Sequence, residues 1–291
     1  MPNIPVYVDF SAVSTIPKVI HYCWFGGKPM PRAARRCIAS WRKHCPDYEI
    51  REWNEKNYDV TRCAYMHEAY KAGKWAFVSD FARIDVLNKY GGVYLDTDVE
   101  LLKPLDEFLK YPLFCGWEKG EGSPEKGKTV YGSTADEQMY CVVNFGLGVG
   151  GVAGHPVLHD LVKLYHELSF YQPDGSMNLV PCPVYQTRVM QRYGLDATQP
   201  TLQRNEHFAV FPPEYFSPKS YYTGLIEKTS NTVSIHHFSM SWKTKRELLE
   251  YWVYSRLARC MDQEKAYYWV RKQSARYDYW MGRIKKILRM K

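Results

Sequence analysis

Apolar and polar positions in the first part of the chain alternate between short strand-like runs and longer helical stretches. Val19–Phe25 is an apolar, β-rich run that ends at two glycines, which predicts a strand followed by a turn. Residues 31–46 have helical periodicity with a proline near each end, and residues 48–54 predict a second strand. Strand, helix and strand in this order are typical of a parallel sheet covered by helices, so the pattern predicts an α/β fold.

Residues 77–92, "FVSDFARIDVLNKYGG", predict a further helix. Ser79 is a candidate N-cap, and the two glycines would end the helix. The run "GVYLDTDVELL" follows and predicts the next strand, with Asp96 and Asp98 where that strand meets a loop. Ligands of open α/β sheets bind beyond the carboxyl ends of the strands. The two aspartates are therefore expected at a ligand site.

Asp96 and Asp98 are two residues apart, so they would point to the same side of an extended segment. Their mutual repulsion is costly unless a cation or hydrogen-bond donors neutralise it. Mg²⁺ or Mn²⁺ suits such a pair, because these ions accept one or two carboxylates and complete their shell with water and substrate phosphates. Asp pairs are also common in exposed turns, so the spacing alone leaves that alternative open.

Asp80 and Arg83 are three residues apart and share a face of the predicted helix, near its start. Beside two aspartates, an acid and an arginine are suited to bind a sugar hydroxyl and a phosphate or leaving group. An ordinary ion pair on a helix surface is the alternative.

Composition narrows the class of protein. The chain has 291 residues, of which 45% are hydrophobic and 24% charged, which is ordinary for a globular protein with a substantial core. It contains no apolar run long enough to span a bilayer, and its N-terminus lacks the pattern of a signal peptide. Eight cysteines occur without a C-x-x-C pair or zinc-ligand spacing. We therefore expect a cytoplasmic protein with reduced thiols.

The basic charge is concentrated after residue 242. Residues 243–291 contain fourteen Lys and Arg against five Asp and Glu, and they interleave Tyr and Trp with the basic residues at helical intervals. This predicts a domain over residues 1–242 and a helical extension over 243–291. A basic, aromatic helix is typical of a segment that lies on an anionic membrane. A packed helix with a solvated basic face and a nucleic-acid contact are the alternatives, and no nucleic-acid partner is expected.

Three segments, "IPKVIHYCWFGG", "SDFARIDVLNKYGGVYLDTDVELLKPL" and "IHHFSMSW", occur in this order within residues 16–242. Together they resemble glycosyltransferase family 32, the DXD-containing sugar transferases that include bacterial capsular and O-antigen enzymes and Och1-type mannosyltransferases. The resemblance implies a GT-A fold: a Rossmann-like domain with a mostly parallel central sheet that binds a nucleotide sugar through Mn²⁺ or Mg²⁺.

The resemblance also implies a role for each matching position. Trp24 would stack on the donor base, Asp80 would bind hydroxyls of the transferred sugar, and Arg83 would contact the donor near the glycosidic oxygen. Asp98 would ligate the metal, and Asp96 would bridge the ribose and the metal. Further donor contacts are expected from Tyr94, Asn144, Ser241 and Trp242. Core packing is the alternative for the Trp24 and Tyr94 rings, and a simple turn is the alternative for Asn144.

His236 and His237 are neighbours in the predicted strand "TVSIHHFSMSWK", so they face opposite ways and only one can point at the metal. The resemblance favours His236, six residues before Trp242, and a neutral imidazole suits Mn²⁺. A hydrogen-bonded core histidine, and His237 as the ligand instead, are the alternatives.

The expected function is metal-dependent, retaining transfer of a hexose, with UDP-hexose favoured as donor. The expected acceptor is a glycan, in particular a polyprenyl-diphosphate-linked oligosaccharide of surface polysaccharide synthesis. The tail would hold the enzyme peripherally on the inner face of the bacterial cytoplasmic membrane. Two other classes stay open: a haloacid-dehalogenase-like phosphatase that uses "DTDVE", and a non-catalytic carbohydrate-binding protein on the same fold.

Overall fold

The computed structural model of the chain describes residues 15–120, 139–221, 223–240 and 243–289. These residues divide into two compact units. The first comprises Met1–Lys219 and Glu227–Phe238, and the second comprises Ser220–Ile226 and Ser239–Lys291, each as far as it is described.

The first unit contains all of the described strands. They are β1 (Val19–Cys23), β2 (Glu49–Trp53), β3 (Gly92–Tyr94), β4 (Val99–Leu101), β5 (Leu113–Gly116), β6 (Val149–Gly151), β7 (Gln203–Arg204), β8 (Ala209–Phe211) and β9 (Ser234–His236). Its helices are α1 (Arg32–His44), α2 (Ala64–Lys71), α3 (Trp75–Tyr90), α4 (Pro156–Glu167), α5 (Cys182–Gln191) and α6 (Pro213–Phe216), with short 3-10 helices at Asp106–Phe108 and Phe145–Leu147. The second unit contains α7 (Lys245–Leu257) and α8 (Gln263–Arg289).

The main sheet has the strand order β2-β1-β3-β6-β5-β8-β7. Strand β1 pairs in parallel with β2 and β3, and β5 pairs in parallel with β8. Strand β6 is antiparallel to both of its neighbours, and β7 is antiparallel to β8. Five of these seven strands therefore run in one direction. The predicted α/β class with a mostly parallel central sheet is confirmed, and so is the helical C-terminal extension.

The segment that holds the two aspartates differs from its prediction. In place of one strand, β3 ends at Tyr94 and β4 begins at Val99, and these two strands belong to different sheets. The Val99 amide donates to the Asp96 carbonyl at 3.0 Å, which closes a tight turn over the aspartates. The aspartates do lie where a strand meets a loop, as expected, but the expectation of one continuous strand over this run was wrong, because the turn divides it.

Helix α3 begins at Trp75, four residues before the predicted N-cap Ser79, and it ends before Gly91, as predicted. The Ser79 hydroxyl donates to the Trp75 carbonyl inside the helix. The apolar residues of the first turns pack on the core, which explains the earlier start. Asp80 and Arg83 consequently lie in the body of the helix and are buried, not at its start.

The second unit is built from two helices that contact each other. Helix α7 starts with a capping box in which the Thr244 side chain and Glu247 satisfy each other's backbone amides. Arg246 on α7 forms an ion pair with Asp278 on α8, and the Ser274 hydroxyl donates to Glu250. None of the helices in the described part of the chain combines the length and apolar composition that crossing a membrane requires.

His21 on β1 is fully buried in its neutral form. Its Nε2 lies 2.9 Å from the Gly91 carbonyl, and its Nδ1 accepts a hydrogen bond from the Trp53 indole at 3.1 Å. These two partners require a proton on Nε2 and none on Nδ1. Burial lowers the pKa of His21 to about 4, although the Gly91 carbonyl opposes this shift. The same cause lowers the pKa of His155 to about 4.

We predict that the His21→Gln variant loses less stability on acidification than the wild type. The pKa of His21 is lower in the folded chain than its ordinary value of 6.5, so the unfolded chain binds the extra proton between pH 6.5 and 4. Its stabilising contribution is present above pH 6.5 and is lost as the pH falls to 4, by up to about 3 kcal/mol.

Urea unfolding at pH 7 and pH 4.5 measures this difference. His155 remains in both proteins, so part of the pH dependence persists. The control His159→Gln removes an exposed imidazole from α4 and should keep the wild-type pH dependence. Equal acid sensitivity of His21→Gln and the wild type would contradict the assignment.

Candidate functional site

Three side chains from two distant segments converge beside the turn. The pairing of β4 with β9 places His236 opposite Val99, next to the aspartates. His236 Nε2 lies 3.1 Å from Asp98 Oδ1 and 3.8 Å from Asp96 Oδ2. One ligand atom from each of the three residues lies within 4.8 Å of the others. This spacing allows one ion to contact all three.

The electrostatics of this group suit a divalent cation. Burial lowers the pKa of His236, but the carboxylates of Asp98 and Asp96 outweigh it and raise the pKa to about 10. A cation bound by the three residues would therefore displace a proton from the imidazole, so binding would release that proton. Two carboxylate oxygens and one imidazole nitrogen match the ligand preferences of Mn²⁺ better than those of Mg²⁺. The donor set thus fits the expected cofactor.

The imidazole of His236 also packs against an aromatic ring. The ring of Phe238 packs edge-on against the imidazole, with centroids 4.3 Å apart. Phe238 has a φ of 50°, a left-handed backbone conformation that is unfavourable for an aromatic residue. Such strain is concentrated at functional sites in proteins. The strained backbone of Phe238 places its ring against the imidazole of His236 and so limits the orientation of that imidazole.

His237 points away from the aspartates. Its Nε2 lies 2.9 Å from Glu100 Oε2, and this side chain is partly exposed. Its backbone amide donates to the Asp98 carbonyl at 3.0 Å, which ties the two segments together. Of the two histidines, only His236 has its ring among the carboxylates.

A second charged group adjoins the first through Asp96. Arg83 Nη2 lies 3.1 Å from Asp96 Oδ1 and 3.2 Å from Asp80 Oδ1, and the guanidinium lies over the Tyr94 ring. Arg83 is 4% exposed and remains charged, because the nearby acids raise its pKa even against its burial. Burial raises the pKa of Asp80 to about 6, although Arg83 opposes this. Asp96 therefore faces Arg83 with one oxygen and His236 with the other.

Tyr94 contributes through its hydroxyl. Its ring is 1% exposed, and its OH donates to Asp96 Oδ1 at 3.0 Å. Its contacts with Asp96 and Arg83 orient the carboxylate, while its ring is part of the buried core. A direct contact of Tyr94 with a donor stays a prediction.

Asn144 approaches Asp96 through the backbone. It caps the 3-10 helix Phe145–Leu147, and its Oδ1 accepts from the Gly146 amide at 2.7 Å. The Gly146 carbonyl in turn accepts from the Asp96 amide at 3.3 Å. A Cβ atom at Gly146 would lie 2.4 Å from Asp96 Oδ2, so only glycine allows this approach.

Glu118 is a residue that sequence reasoning missed. It is buried just beyond the end of β5, and its Oε2 accepts from Asn144 Nδ2 at 2.6 Å. This bond fixes the amide of Asn144 with its oxygen toward Gly146. The rule that ligand residues follow the carboxyl ends of strands applies to Glu118 as it does to the aspartates, and it would have identified this glutamate.

Cys182 and Lys219 were also missed. Cys182 Sγ accepts a hydrogen bond from Arg83 Nη1 at 3.5 Å, and its thiol donates one to the Asp80 carboxylate. Burial raises the pKa of this thiol well above its ordinary value. Lys219 is half-buried and donates to the His237 carbonyl. Burial lowers the pKa of its amine, and Asp98 opposes that shift. Neither residue has a neighbour in the sequence that signals a site.

Trp24 lies one residue beyond β1, at the same edge of the sheet as the end of β3. Its ring is half-buried, and its indole nitrogen donates to the Lys28 carbonyl at 2.6 Å. The described contacts do not join it to the aspartates, so its role in base stacking stays a prediction. Ser241 and Trp242 lie outside the described residues, and their roles stay predictions as well.

The segment around the site is similar to known proteins. The family described as "Glycosyltransferase sugar-binding region containing DXD motif" matches residues 31–114. Inositol phosphoceramide mannosyltransferase 3 of Schizosaccharomyces pombe is 32% identical over 117 residues, which cover 38% of this chain and 31% of that protein. Subversion of eukaryotic traffic protein A of Legionella pneumophila is 25% identical over 165 residues, which cover 43% of this chain and 26% of that protein.

The chain thus spans about a third or less of the length of these two relatives. Among solved structures, the PaToxG glycosyltransferase aligns with a TM-score of 0.43 at 16% identity, covering 62% of this chain and 70% of that one. The matched residues 31–114 include Asp80, Arg83, Asp96 and Asp98. The part of the chain that forms most of the charged site is therefore similar to the sugar-binding region of DXD glycosyltransferases.

Proposed function

We propose that this chain is a glycosyltransferase that moves a hexose from a nucleotide sugar to a glycan acceptor with the help of Mn²⁺ or Mg²⁺. The observation that carries the proposal is the convergence of Asp96, Asp98 and His236, joined through Asp96 to the Arg83 and Asp80 pair. Four of these five residues lie in the segment that matches the DXD family.

The residues of the site divide the chemistry between them. A divalent cation held by Asp96, Asp98 and His236 would neutralise charge on the diphosphate of the donor. Arg83 keeps its positive charge in a buried position, where it would stabilise the negative charge that develops on the leaving group. Asp80, with a pKa raised to about 6, can exchange hydrogen bonds with sugar hydroxyls. We propose retention of configuration on the resemblance alone.

The donor and acceptor are proposed more specifically. We favour a UDP-hexose as the donor and a polyprenyl-diphosphate-linked oligosaccharide as the acceptor. The name of the yeast relative, an inositol phosphoceramide mannosyltransferase, supports transfer of a hexose to an acceptor that carries a lipid. Peripheral attachment at the inner face of the bacterial cytoplasmic membrane would bring the enzyme to such an acceptor.

The second unit supports this attachment. Its helices expose aromatic side chains, among them Trp252, Tyr268 and Trp269, next to basic residues. The guanidinium of Arg256 lies 4.2 Å from the ring of Trp252. Aromatic rings and cations on one helical surface suit the interface of an anionic membrane.

A screen of nucleotide sugars with Mn²⁺ and Mg²⁺, scored by release of nucleoside diphosphate, tests the activity. We predict metal-dependent release from at least one donor, and a loss of about 100-fold or more in Asp98→Asn, because the amide keeps the shape but lacks the charge that holds the cation. The control Asp174→Asn changes an exposed turn and should retain wild-type turnover. Release of phosphate from simple phosphomonoesters would favour a phosphatase, and no turnover of either kind would favour a binding protein.

We predict that His236→Ala raises the metal concentration needed for half-maximal activity by about tenfold or more, whereas His237→Ala leaves it within about twofold. His236 lies among the carboxylates, and His237 pairs with Glu100. Metal titrations at pH 6.5 and 8 should also show a weaker pH dependence of affinity in His236→Ala, because that variant has no imidazole proton to displace. If His237→Ala raised the required metal concentration more than His236→Ala does, the metal ligand would be His237 instead.

We predict that the full-length protein sediments with anionic but not zwitterionic vesicles, and that truncation after Trp280 removes part of this binding. The cut removes basic residues that each contribute roughly 1 kcal/mol near an anionic surface. They are Arg283, Lys285, Lys286, Arg289 and Lys291. The truncated protein should still hydrolyse soluble donor. If both versions sedimented equally, the tail would be a packed helix that does not contribute to membrane binding.

A further inference from the structure

Helix α1 in the first unit has one buried face and one basic, exposed face. The buried face is apolar and packs toward β4, where the Trp41 indole donates to the Val99 carbonyl at 2.7 Å. The sequence of the helix contains no aspartate or glutamate. The exposed basic face consists of Arg32, Arg35, Arg36, Arg42 and Lys43.

Helix stability explains only part of this charge. Arg42 and Lys43 lie in the last turn, where cations interact favourably with the helix dipole. Arg32 and Arg35 lie at the start, where the dipole favours anions, and the N-cap Pro31 offers no side-chain cap. The cations of the first turn therefore oppose the stability of the helix that carries them. Their presence calls for a different explanation.

The described part of the chain offers no acidic partner to the arginines in the first half of this face. Within the described ranges, no carboxylate lies within 4.0 Å of Arg32, Arg35 or Arg36. Other arginines of the same unit do have acidic partners: Arg51 pairs with Glu49, and Arg62 pairs with Asp85. Among the described residues, the cations in the first half of the exposed basic face are therefore not compensated by acids.

We propose that the exposed basic face of α1 is a docking surface for an anionic lipid bilayer. The face is the convex outside of a helix, with Ala33 and Ala39 between the cations, so it suits a flat array of headgroups. It lacks the aromatic rings on which nucleic-acid bases stack. The proposal goes beyond the attachment through the tail, because these charges belong to the first unit, and it depends neither on the tail nor on sugar transfer.

The test is binding of the full-length protein to vesicles of phosphatidylcholine with and without about a third phosphatidylglycerol. The variant Arg32→Gln/Arg35→Gln/Arg36→Gln should bind the anionic vesicles about 100-fold more weakly, since each basic residue near the surface contributes about fivefold. Its Tm should equal or exceed that of the wild type, because cations are removed from the positive end of the helix dipole. Hydrolysis of soluble donor should be unchanged, which separates this outcome from failure of the proposed activity.

Two controls make the result specific. The variant Lys56→Gln/Lys71→Gln/Lys163→Gln removes the same net charge from exposed positions elsewhere in the first unit and should lose much less binding. The variant Arg32→Lys/Arg35→Lys/Arg36→Lys should keep nearly all of it, because a lipid surface responds to charge and not to guanidinium geometry.

Several outcomes would overturn the proposal. They are no binding of the wild type to anionic vesicles, equal binding of the glutamine variant and the wild type, and equal loss in the lysine-to-glutamine control. Loss of binding to heparin or RNA with unchanged vesicle binding would assign the face to an anionic polymer instead. If the glutamine variant folds poorly, the arginine-to-lysine variant takes its place. If the folded arginine-to-lysine variant then failed to bind anionic vesicles, the face would not be a lipid-binding surface.

Discussion

The repulsion among three carboxylates is the constraint around which the first unit is organised. Arg83 lies between Asp80 and Asp96, and His236 lies beside Asp96 and Asp98. Removing the countercharge from such a group leaves uncompensated buried charge, which costs several kcal/mol. The buried middle of α3 supplies Arg83, and the far end of the chain supplies His236. A cation at the turn would complete the balance.

The small sheet of β4 and β9 brings His236 to the aspartates from a position 138 residues further along the chain than Asp98. This pairing controls which histidine enters the site. Successive side chains of a strand alternate between its faces, so a shift of the β4–β9 register by one residue would exchange His236 for His237. The contacts of His237 with Glu100 and with the Asp98 backbone oppose that shift. His237 thus stabilises the β4–β9 register that places His236 beside the aspartates.

Local patterns in the sequence predicted much of the fold. β1, α1, β2 and the end of α3 follow from hydrophobic periodicity together with proline and glycine signals, all of which act over short distances. The division of this run into two strands was missed because apolar residues on both sides of "DTD" are also typical of a single strand. Only the pairing of its two halves with different sheets divides it. The early start of α3 was missed because packing on the core, which the sequence does not display, extends the helix beyond Ser79.

The site itself was predictable where motif and chemistry coincide, as for the spacing of Asp96 and Asp98 or of Asp80 and Arg83. Glu118 has a positional signal, because it follows the end of a strand, but Cys182 and Lys219 reach the site through tertiary contacts alone. A single sequence therefore offers little to distinguish these last two from ordinary residues. Arg32, Arg35 and Arg36 illustrate a related limit. The summed charge of residues 1–242 is close to zero, and that sum conceals a helix that contains cations and no acids.

Gly146 shows that a residue without a functional side chain can also be restricted in the substitutions it tolerates at a site. Its backbone is not among the left-handed glycines, so an alanine would be conformationally acceptable there, unlike at Gly91 with its φ of 63°. The restriction is steric, because an oxygen of Asp96 lies 2.4 Å from the position of a β-carbon. A single added methyl group would therefore displace Asp96, one of the proposed cation ligands, although Gly146 itself is not a proposed ligand. As long as Asp96 keeps this position, residue 146 has to remain a glycine, although it contributes no functional group.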